Sequence, residues 1–314
     1  MALHRVEGWK GLEPEARGAS VALGNFDGVH RGHRQVIAEA AKAAAALHVP
    51  LGVVTFEPHP RLYFQREHAP FRLMTIEQQA RALDALGVDL FYVLPFDDEM
   101  AHLTDEAFAR DILHQGLGAR HVAAGFDISF GVGRTGSPET LRRFGAQFGF
   151  GVSIAEPVAD PDGEKCSSSA IRKALREGRP ERAAALLGRP FAIEGVVVHG
   201  DKLGRTIGFP TANIALGDYV RPAYGIYAVR TRLADGREIP GVGYVGRRPT
   251  VNGADERLEV HLLDFDEDIY GDTLETDFIA FQRGDEKFDG LEPMIAQMDR
   301  DKETARRILM PPFD

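Results

Sequence analysis

"SVALGNFDGVHRGHRQVIAEAAKAAAALHVPLGVVTF" (Ser20–Phe56) sets two short apolar runs around an alanine-rich stretch. "SVALG" (20–24) and "LGVVTF" (51–56) read as buried strands. Between them Val36, Ile37, Ala40, Ala41, Ala44 and Leu47 recur at helical spacing and predict one apolar helix face. Strand, helix and strand form a βαβ unit, which calls for parallel strands and a right-handed crossover. The alternation continues with a helix at 75–86, a strand at 90–94, a helix at 104–116 and strands at 120–124 and 151–155. The class is therefore α/β, with a doubly wound first domain.

From about residue 190 the pattern changes. "FAIEGVVVHG" (191–200), "YGIYAVRTRL" (224–233), "IPGVGYVG" (239–246) and "RLEVHLLDF" (257–265) are strand-like, and one helix signal closes the chain at 291–309. Short strands at this spacing predict a small antiparallel β-barrel domain with a C-terminal helix. Between the halves, Ser169 is expected to cap a helix "AIRKALREG" that Gly178 ends, which places the domains at 1–186 and 187–314. The acidic run "DFDEDIYGDTLETDF" (264–278) reads as a solvated hairpin or a lid, with the hairpin favoured.

The chain has 314 residues, 44% of them hydrophobic and 27% charged, enough for two cores without staples. A net charge of −10 disfavours general affinity for nucleic acid or an anionic membrane surface. Cys166 is the only cysteine, so an intramolecular disulfide is excluded, which fits a reducing compartment. With no signal-like start and no long apolar run, the expectation is a cytoplasmic protein.

"GNFDGVHRGHR" (24–34) lies where a strand gives way to a helix, at the carboxyl edge of the expected sheet. Helix N-termini there offer free N–H groups and partial positive charge to anions. His30 and His33 are three residues apart, and Gly32 between them leaves room for a phosphate to approach the backbone. Two imidazoles can stabilise charge on an α-phosphate attacked by another phosphate. The attacking oxygen is already anionic, so no protein nucleophile is needed. A polar surface loop is the bland alternative, and the histidines lack partners at metal-ligand spacing. "GVGRTG" (131–136) satisfies G-x-G-x-x-G with Glu156 beyond it, but it does not follow a clean strand in the first βαβ unit, which disfavours a dinucleotide site.

In the second half, "GDKLGRTIGFPTANI" (200–214) combines Gly200, Gly204 and Gly208 with Lys202 and Arg205, a composition suited to closing over polyphosphate. Thr211 and Asn213 are two apart, so in an extended chain they share a face and present oxygens suited to Mg²⁺. On the strand "RLEVHLL", Glu259 and His261 lie opposite Leu258, Val260 and Leu262. A carboxylate there can take the proton of an alcohol attacking a γ-phosphate. Read singly, these are a Gly-rich hairpin and a solvated Glu.

Taken together, "GNFDGVHRGH" in its βαβ context resembles the H-x-G-H nucleotidyltransferases. Over essentially the whole chain the sequence is similar to the bacterial bifunctional riboflavin kinase/FAD synthetases. The resemblance is carried further by "TFEPHP" (55–60), "AAGFDISFGVGRTG" (123–136), "CSSSAIRKALREG" (166–178), "PTAN" (210–213), "PAYGIYAVR" (222–230), "GVGYVGRRPTVNG" (241–253) and the E-x-H segment. It implies a Rossmann-like FMN adenylyltransferase domain followed by a riboflavin kinase domain, with ATP as co-substrate, riboflavin, FMN and FAD as substrates and products, and Mg²⁺ as cofactor.

Carried over residue by residue, the resemblance makes His30, His33 and Glu259 catalytic, with Glu259 as base. It assigns ATP and phosphate contacts to Gly24, Phe26, Asp27, Gly28, Gly32, Ser167, Ser168, Ser169, Arg172, Gly204, Arg205 and Gly208. Flavin contacts fall to Phe56, Pro58, His59 and Asp127, and Mg²⁺ to Thr211 and Asn213. Serine hydroxyls at a helix start suit phosphate, although a serine run alone is only a cap. Several residues depart from the family pattern: Ser169 for Thr, Asp127 for Asn, Ile128 for Phe and Tyr244 for Asn. Ser129 stands where a basic residue is frequent. Asp127 adds negative charge that a magnesium ion would offset. The expected partners are small molecules, with neither nucleic acid nor membrane, and a homo-oligomer is left open. The rivals are a chain retaining one of the two activities and a flavin-binding module without turnover.

Overall fold

Strands β2 (Ser20–Leu23) and β3 (Leu51–Glu57) lie parallel, with α1 (Arg31–Leu47) as their crossover. Further strands are β1 (His4–Glu7), β4 (Leu90–Pro95), β5 (His121–Gly125) and β6 (Gly151–Ala155). They complete a parallel sheet in the order β1-β4-β3-β2-β5-β6, which bears out the α/β expectation. The computed structural model describes residues 3–65, 69–160, 163–199, 204, 207–250 and 253–310. The sheet extends from β2 through β3 and β4 on one side and through β5 and β6 on the other. The loop after β2 therefore opens at the topological switch point, where open α/β sheets receive ligands.

The central strands are apolar on both faces because both faces are covered: Val21, Ala22, Val53 and Val54 are fully buried. Helix α1 packs Val36, Ile37, Ala40 and Ala44 inward. Leu47, expected on the same face, is instead 45% exposed, because the helix ends there with His48 in the left-handed region. The next helices are α2 (Pro60–Phe64), α3 (Ile76–Asp84) and α4 (Asp98–His102). The segment expected as a helix at 104–116 starts as α5 (Asp105–Ala107), capped by Thr104, and continues π-wound over Phe108–Gly116. Other elements, β1 and α6 (Pro138–Phe148) among them, were not expected. Strand β1 buries only Val6, so it carries no alternation, and α6 is announced by a capping box between Ser137 and Thr140.

The second half is a closed antiparallel barrel. Its strands are β7 (Phe191–Val198), β8 (Ala212–Ala215), β9 (Gly225–Arg232), β10 (Glu238–Thr250), β11 (Gly253–Leu262) and β12 (Thr273–Gly284), in the order β10-β11-β8-β7-β12-β9. Two helices precede it, α7 (Ser168–Arg176) and α8 (Pro180–Leu187), and α9 (Leu291–Leu309) follows it on the expected residues. Since α7 begins at Ser168, Ser169 lies in its first turn instead of capping it. The acidic run at 264–278 is not a solvated hairpin throughout. From Thr273 it enters β12, where alternation buries Leu274, Thr276 and Phe278 in the barrel and puts Glu275 and Asp277 on the other face.

The chain forms two compact units. One takes Ile76–Ser167 with the chain before residue 69, the other Ala69–Thr75 with the chain from Ser168. The segment 168–186, placed with the first domain on composition, thus packs with the barrel. So does a short strap taken from the middle of the α/β sequence. Phe71 is 1% exposed, and Leu73 and Met74 are also buried. The strap is pinned by Phe71 N–H and Arg72 N–H on the Asp218 carbonyl, by Val220 N–H on the Arg72 carbonyl, and by Arg172 Nε on the Phe71 carbonyl at 2.7 Å.

Phe71→Ala should therefore destabilise the barrel unit by about 3–5 kcal/mol. Urea unfolding checks this in the intact chain, with tyrosine near-UV dichroism following the barrel and the single tryptophan, Trp9, following the α/β unit. A second prediction concerns Asp277, which burial, reinforced by Glu275, raises to about 6. The folded state then holds its proton more tightly than the unfolded chain does. The favourable contribution is complete below the unfolded value and is lost as pH rises through 6. Asp277→Asn should raise the melting temperature at pH 7.5, and the gain should vanish by about pH 4.

Candidate functional sites

The loop between β2 and α1 is held in an unusual backbone path. Phe26 (φ 49°) and Val29 (φ 40°) occupy the left-handed region, as does Gly28. Both apolar side chains are buried, and burial anchors a conformation that costs of order 1–3 kcal/mol at each such residue. The turn closes with Val29 N–H on the Phe26 carbonyl, and Thr55 Oγ1 donates to the Asn25 carbonyl at 2.9 Å. Asp27 is buried in the same turn.

His30 then caps α1 rather than lying within it: His33 N–H donates to His30 Nδ1 at 3.3 Å. The two imidazoles stack with centroids 3.5 Å apart and planes at 20°, and the Phe26 ring backs His33 at 5.1 Å. Because Nδ1 accepts, the proton of neutral His30 is assigned to Nε2. Gly32 faces the Cys166 carbonyl and the His30 ring, and a Cβ there would come within 3.0 and 3.2 Å of them. The cradle exists because residue 32 has no side chain. No acidic residue sits in the first turn of α1, so its positive end is not neutralised from within. Gly24 lies against the Phe26 ring, so Phe26 acts on this site as packing beneath the loop.

The other residues expected in this half are spread around it. Phe56, next to the end of β3, lies in an aromatic cluster with Phe96 (6.0 Å) and Phe108 (6.2 Å). Pro58 is exposed, and His59 caps α2 through Nδ1. Asp127 is 63% exposed, and its charge is met by Lys165 at 2.6 Å, whose ammonium also lies over the Phe126 ring. The balancing charge expected from a metal ion is thus supplied by a lysine. Ser167 is half-buried at the end of the α/β unit. Ser168 and the exposed Ser169 open α7 in the barrel unit. Arg172 is buried with its guanidinium at the carbonyl and ring of Phe71, which makes it the anchor of the strap.

In the barrel the expected residues converge. Antiparallel register puts Glu259 directly opposite Asn213 on one side and Tyr244 on the other, so three side chains form a row across β8, β11 and β10. All three line a cavity of about 830 Å³ with Phe209, Thr211 and His261. Asn213 is 4% exposed; its Nδ2 donates to the Thr211 carbonyl at 3.2 Å, while its buried Oδ1 has no hydrogen-bond partner among the described residues. Such an orphaned oxygen costs free energy unless a ligand meets it. His261 Nδ1 donates to the Pro210 carbonyl at 2.9 Å, and burial pushes its imidazole pKa down. Gly204 accepts from Phe209 N–H at 2.7 Å in a turn so close that a Cβ would overlap the Phe209 carbonyl. Gly208 takes a positive φ. Arg205 and Lys202 lie outside the described residues.

Three participants were not singled out from sequence as partners. Lys165 meets Asp127 across 38 positions, a pairing no local pattern announces. Tyr244 donates from its hydroxyl to Asp285 at 3.2 Å and covers Gly246, where no side chain would fit. Arg283 grips the buried Asp301 through two nitrogens, tying α9 to β12 beside the cavity. Among the described residues, no cluster of three or more His, Cys, Asp or Glu side chains is placed to hold a metal ion.

Comparison with known proteins matches both halves. A family model described as FAD synthetase covers residues 12–170, and one described as riboflavin kinase covers residues 187–309. Curated proteins named bifunctional riboflavin kinase/FMN adenylyltransferase include one from Escherichia coli (strain K12), 40% identical over 92% of both chains. Others are from Pseudomonas fluorescens, 41% identical over 98% of both, and Bacillus subtilis (strain 168), 36% identical over 94% of both. A crystal structure described as a macrolide-efflux protein from Streptococcus pneumoniae is 33% identical, with a TM-score of 0.85 over 98% of this chain and 99% of that one. The efflux description belongs to that protein; among the described residues here, no helix is long and apolar enough to cross a membrane. On the two family models and the near-complete coverage of its relatives, this chain belongs to the bifunctional riboflavin kinase/FMN adenylyltransferase family.

Proposed function

We propose that the family's two reactions are divided between the two units, riboflavin phosphorylation in the barrel and adenylylation of FMN at the loop between β2 and α1. The observation that carries this reading is the register that sets Glu259 opposite the orphaned amide oxygen of Asn213 inside one cavity. One side chain can take a proton, and its neighbour can hold a cation. The stacked histidines of the other unit offer donors without a base.

In the barrel, a flavin primary alcohol attacks the γ-phosphorus of ATP. Glu259 accepts the hydroxyl proton, the bond to the β–γ bridging oxygen breaks, and ADP leaves. Thr211 and Asn213 fit Mg²⁺ on the chemistry of their neutral oxygens and on the unsatisfied Oδ1, with the remaining ligands coming from water and phosphate. When bound, Mg²⁺ would neutralise charge on the β- and γ-phosphates. Gly204 and Gly208 let the chain turn tightly beside them.

At the α/β site an FMN phosphate oxygen attacks the α-phosphorus of ATP, and pyrophosphate leaves as the α–β bridging bond breaks. The attacking group is already anionic, so the residues have only to position it and stabilise charge. His30 Nε2–H donates to a non-bridging oxygen, His33 stands stacked beside it, and the backbone at Gly32 admits the phosphate. Phe56, Pro58, His59 and Asp127 are the residues proposed to receive the flavin.

A chromatographic time course with riboflavin, ATP and Mg²⁺ tests the whole reading: FMN should rise and then fall into FAD. FMN accumulating without FAD would remove the second reaction, and flavin binding without ATP consumption would remove both. Glu259→Ala should lower FMN formation by about 10²–10⁴-fold and leave FAD formation from supplied FMN intact. Gly32→Ala should do the reverse, cutting FAD formation at least tenfold while FMN formation continues, since its Cβ fills the cradle. Equal losses of both rates in either folded variant would overturn the division.

A further inference from the structure

His261 shares the cavity face of β11 with Glu259, yet its ring is committed to the main chain. The ladder between β11 and β8 stops at the pair Val260 and Ala212. Two residues before Ala212, Pro210 has no N–H to offer, so the chain would enter the strand there without a fixed partner. The His261 imidazole supplies it, donating from Nδ1 to the Pro210 carbonyl at 2.9 Å. Phe209 packs on the same ring at 5.3 Å, with the Lys302 ammonium over the Phe209 ring. From Pro210 the constraint passes to Thr211, whose carbonyl holds Asn213 Nδ2 and so turns Asn213 Oδ1 inward.

The geometry points to His261 as a positioning residue that preorganises Thr211 and Asn213 for the divalent cation, acting through Nδ1 and the Pro210 carbonyl. This rests on the metal reading of Thr211 and Asn213 given above. The ring's hydrogen bond goes to the Pro210 carbonyl and not to a proposed ligand oxygen, so its contribution is to the aim of the segment, as outer partners of metal ligands contribute elsewhere.

The position of the donor makes this testable in the full chain. In an asparagine at 261 the amide nitrogen falls where Nδ1 stands, whereas in a glutamine it falls near Nε2. Mn²⁺ binding in the presence of ADP, followed by water-proton relaxation, reads metal affinity without turnover. The signal lost in Asn213→Ala identifies the barrel site. His261→Gln should weaken that affinity about tenfold, with kcat recovering at saturating metal, while His261→Asn should stay within about twofold of the parent. Unchanged affinity in His261→Gln, or loss in His261→Asn with retention in His261→Gln, would overturn the proposal. Unchanged affinity in Asn213→Ala would instead remove the metal reading, and this inference with it.

Discussion

In each unit a histidine Nδ1 stands in for a main-chain partner at the point where regular structure begins. His30 Nδ1 accepts the His33 N–H that opens α1, and His261 Nδ1 donates to the Pro210 carbonyl ahead of β8. Backbone groups at such ends have no partner within their own element and must be met from outside it. The two rings meet that demand in opposite senses, which fixes opposite neutral tautomers. With these bonds made, neutral His30 keeps its donor at Nε2, suited to an anion, and neutral His261 keeps an acceptor there. The placement of both sites follows, because the loop after β2 and the "PTAN" segment take their direction from these bonds.

Around these anchors the units satisfy charge differently. The α/β loop offers two imidazoles and a helix whose first turn has no acidic residue, and the exposed Asp127 of the same unit is neutralised by Lys165. The barrel cavity keeps a carboxylate beside an unsatisfied amide oxygen, an arrangement that gains from a cation rather than an anion. On the division proposed above, each arrangement suits the group its reaction would bring: an incoming phosphate in one, an alcohol and a polyphosphate with its cation in the other.

Strands β2, β3 and β6 and helix α9 were readable because each carries its own periodicity or runs between strong breakers. The pairing of Thr211 with Asn213, and the face carrying Glu259, were readable from alternation alone. What alternation cannot supply is register, so the row of Tyr244, Glu259 and Asn213 emerged only from the sheet. Strand β1 has one apolar residue to bury, and the acidic flank of β12 hid a strand whose inward positions are Leu, Thr and Phe. Lys165 and Asp127 are too far apart in sequence for any local rule, whereas the capping box of α6 was a signal open to reading.

The strap carries a lesson about ancestry and division. The chain enters the barrel unit at Ala69, leaves it after Thr75 and returns at Ser168. A gene fragment cut where the composition changes would encode a barrel lacking Phe71, Leu73 and Met74, side chains belonging to its own interior. Two folds that were once independent would be expected to keep their interiors in separate stretches of the gene. Here the reading frame of one half holds part of the other, so recombination at the apparent seam would inherit a barrel with a vacancy.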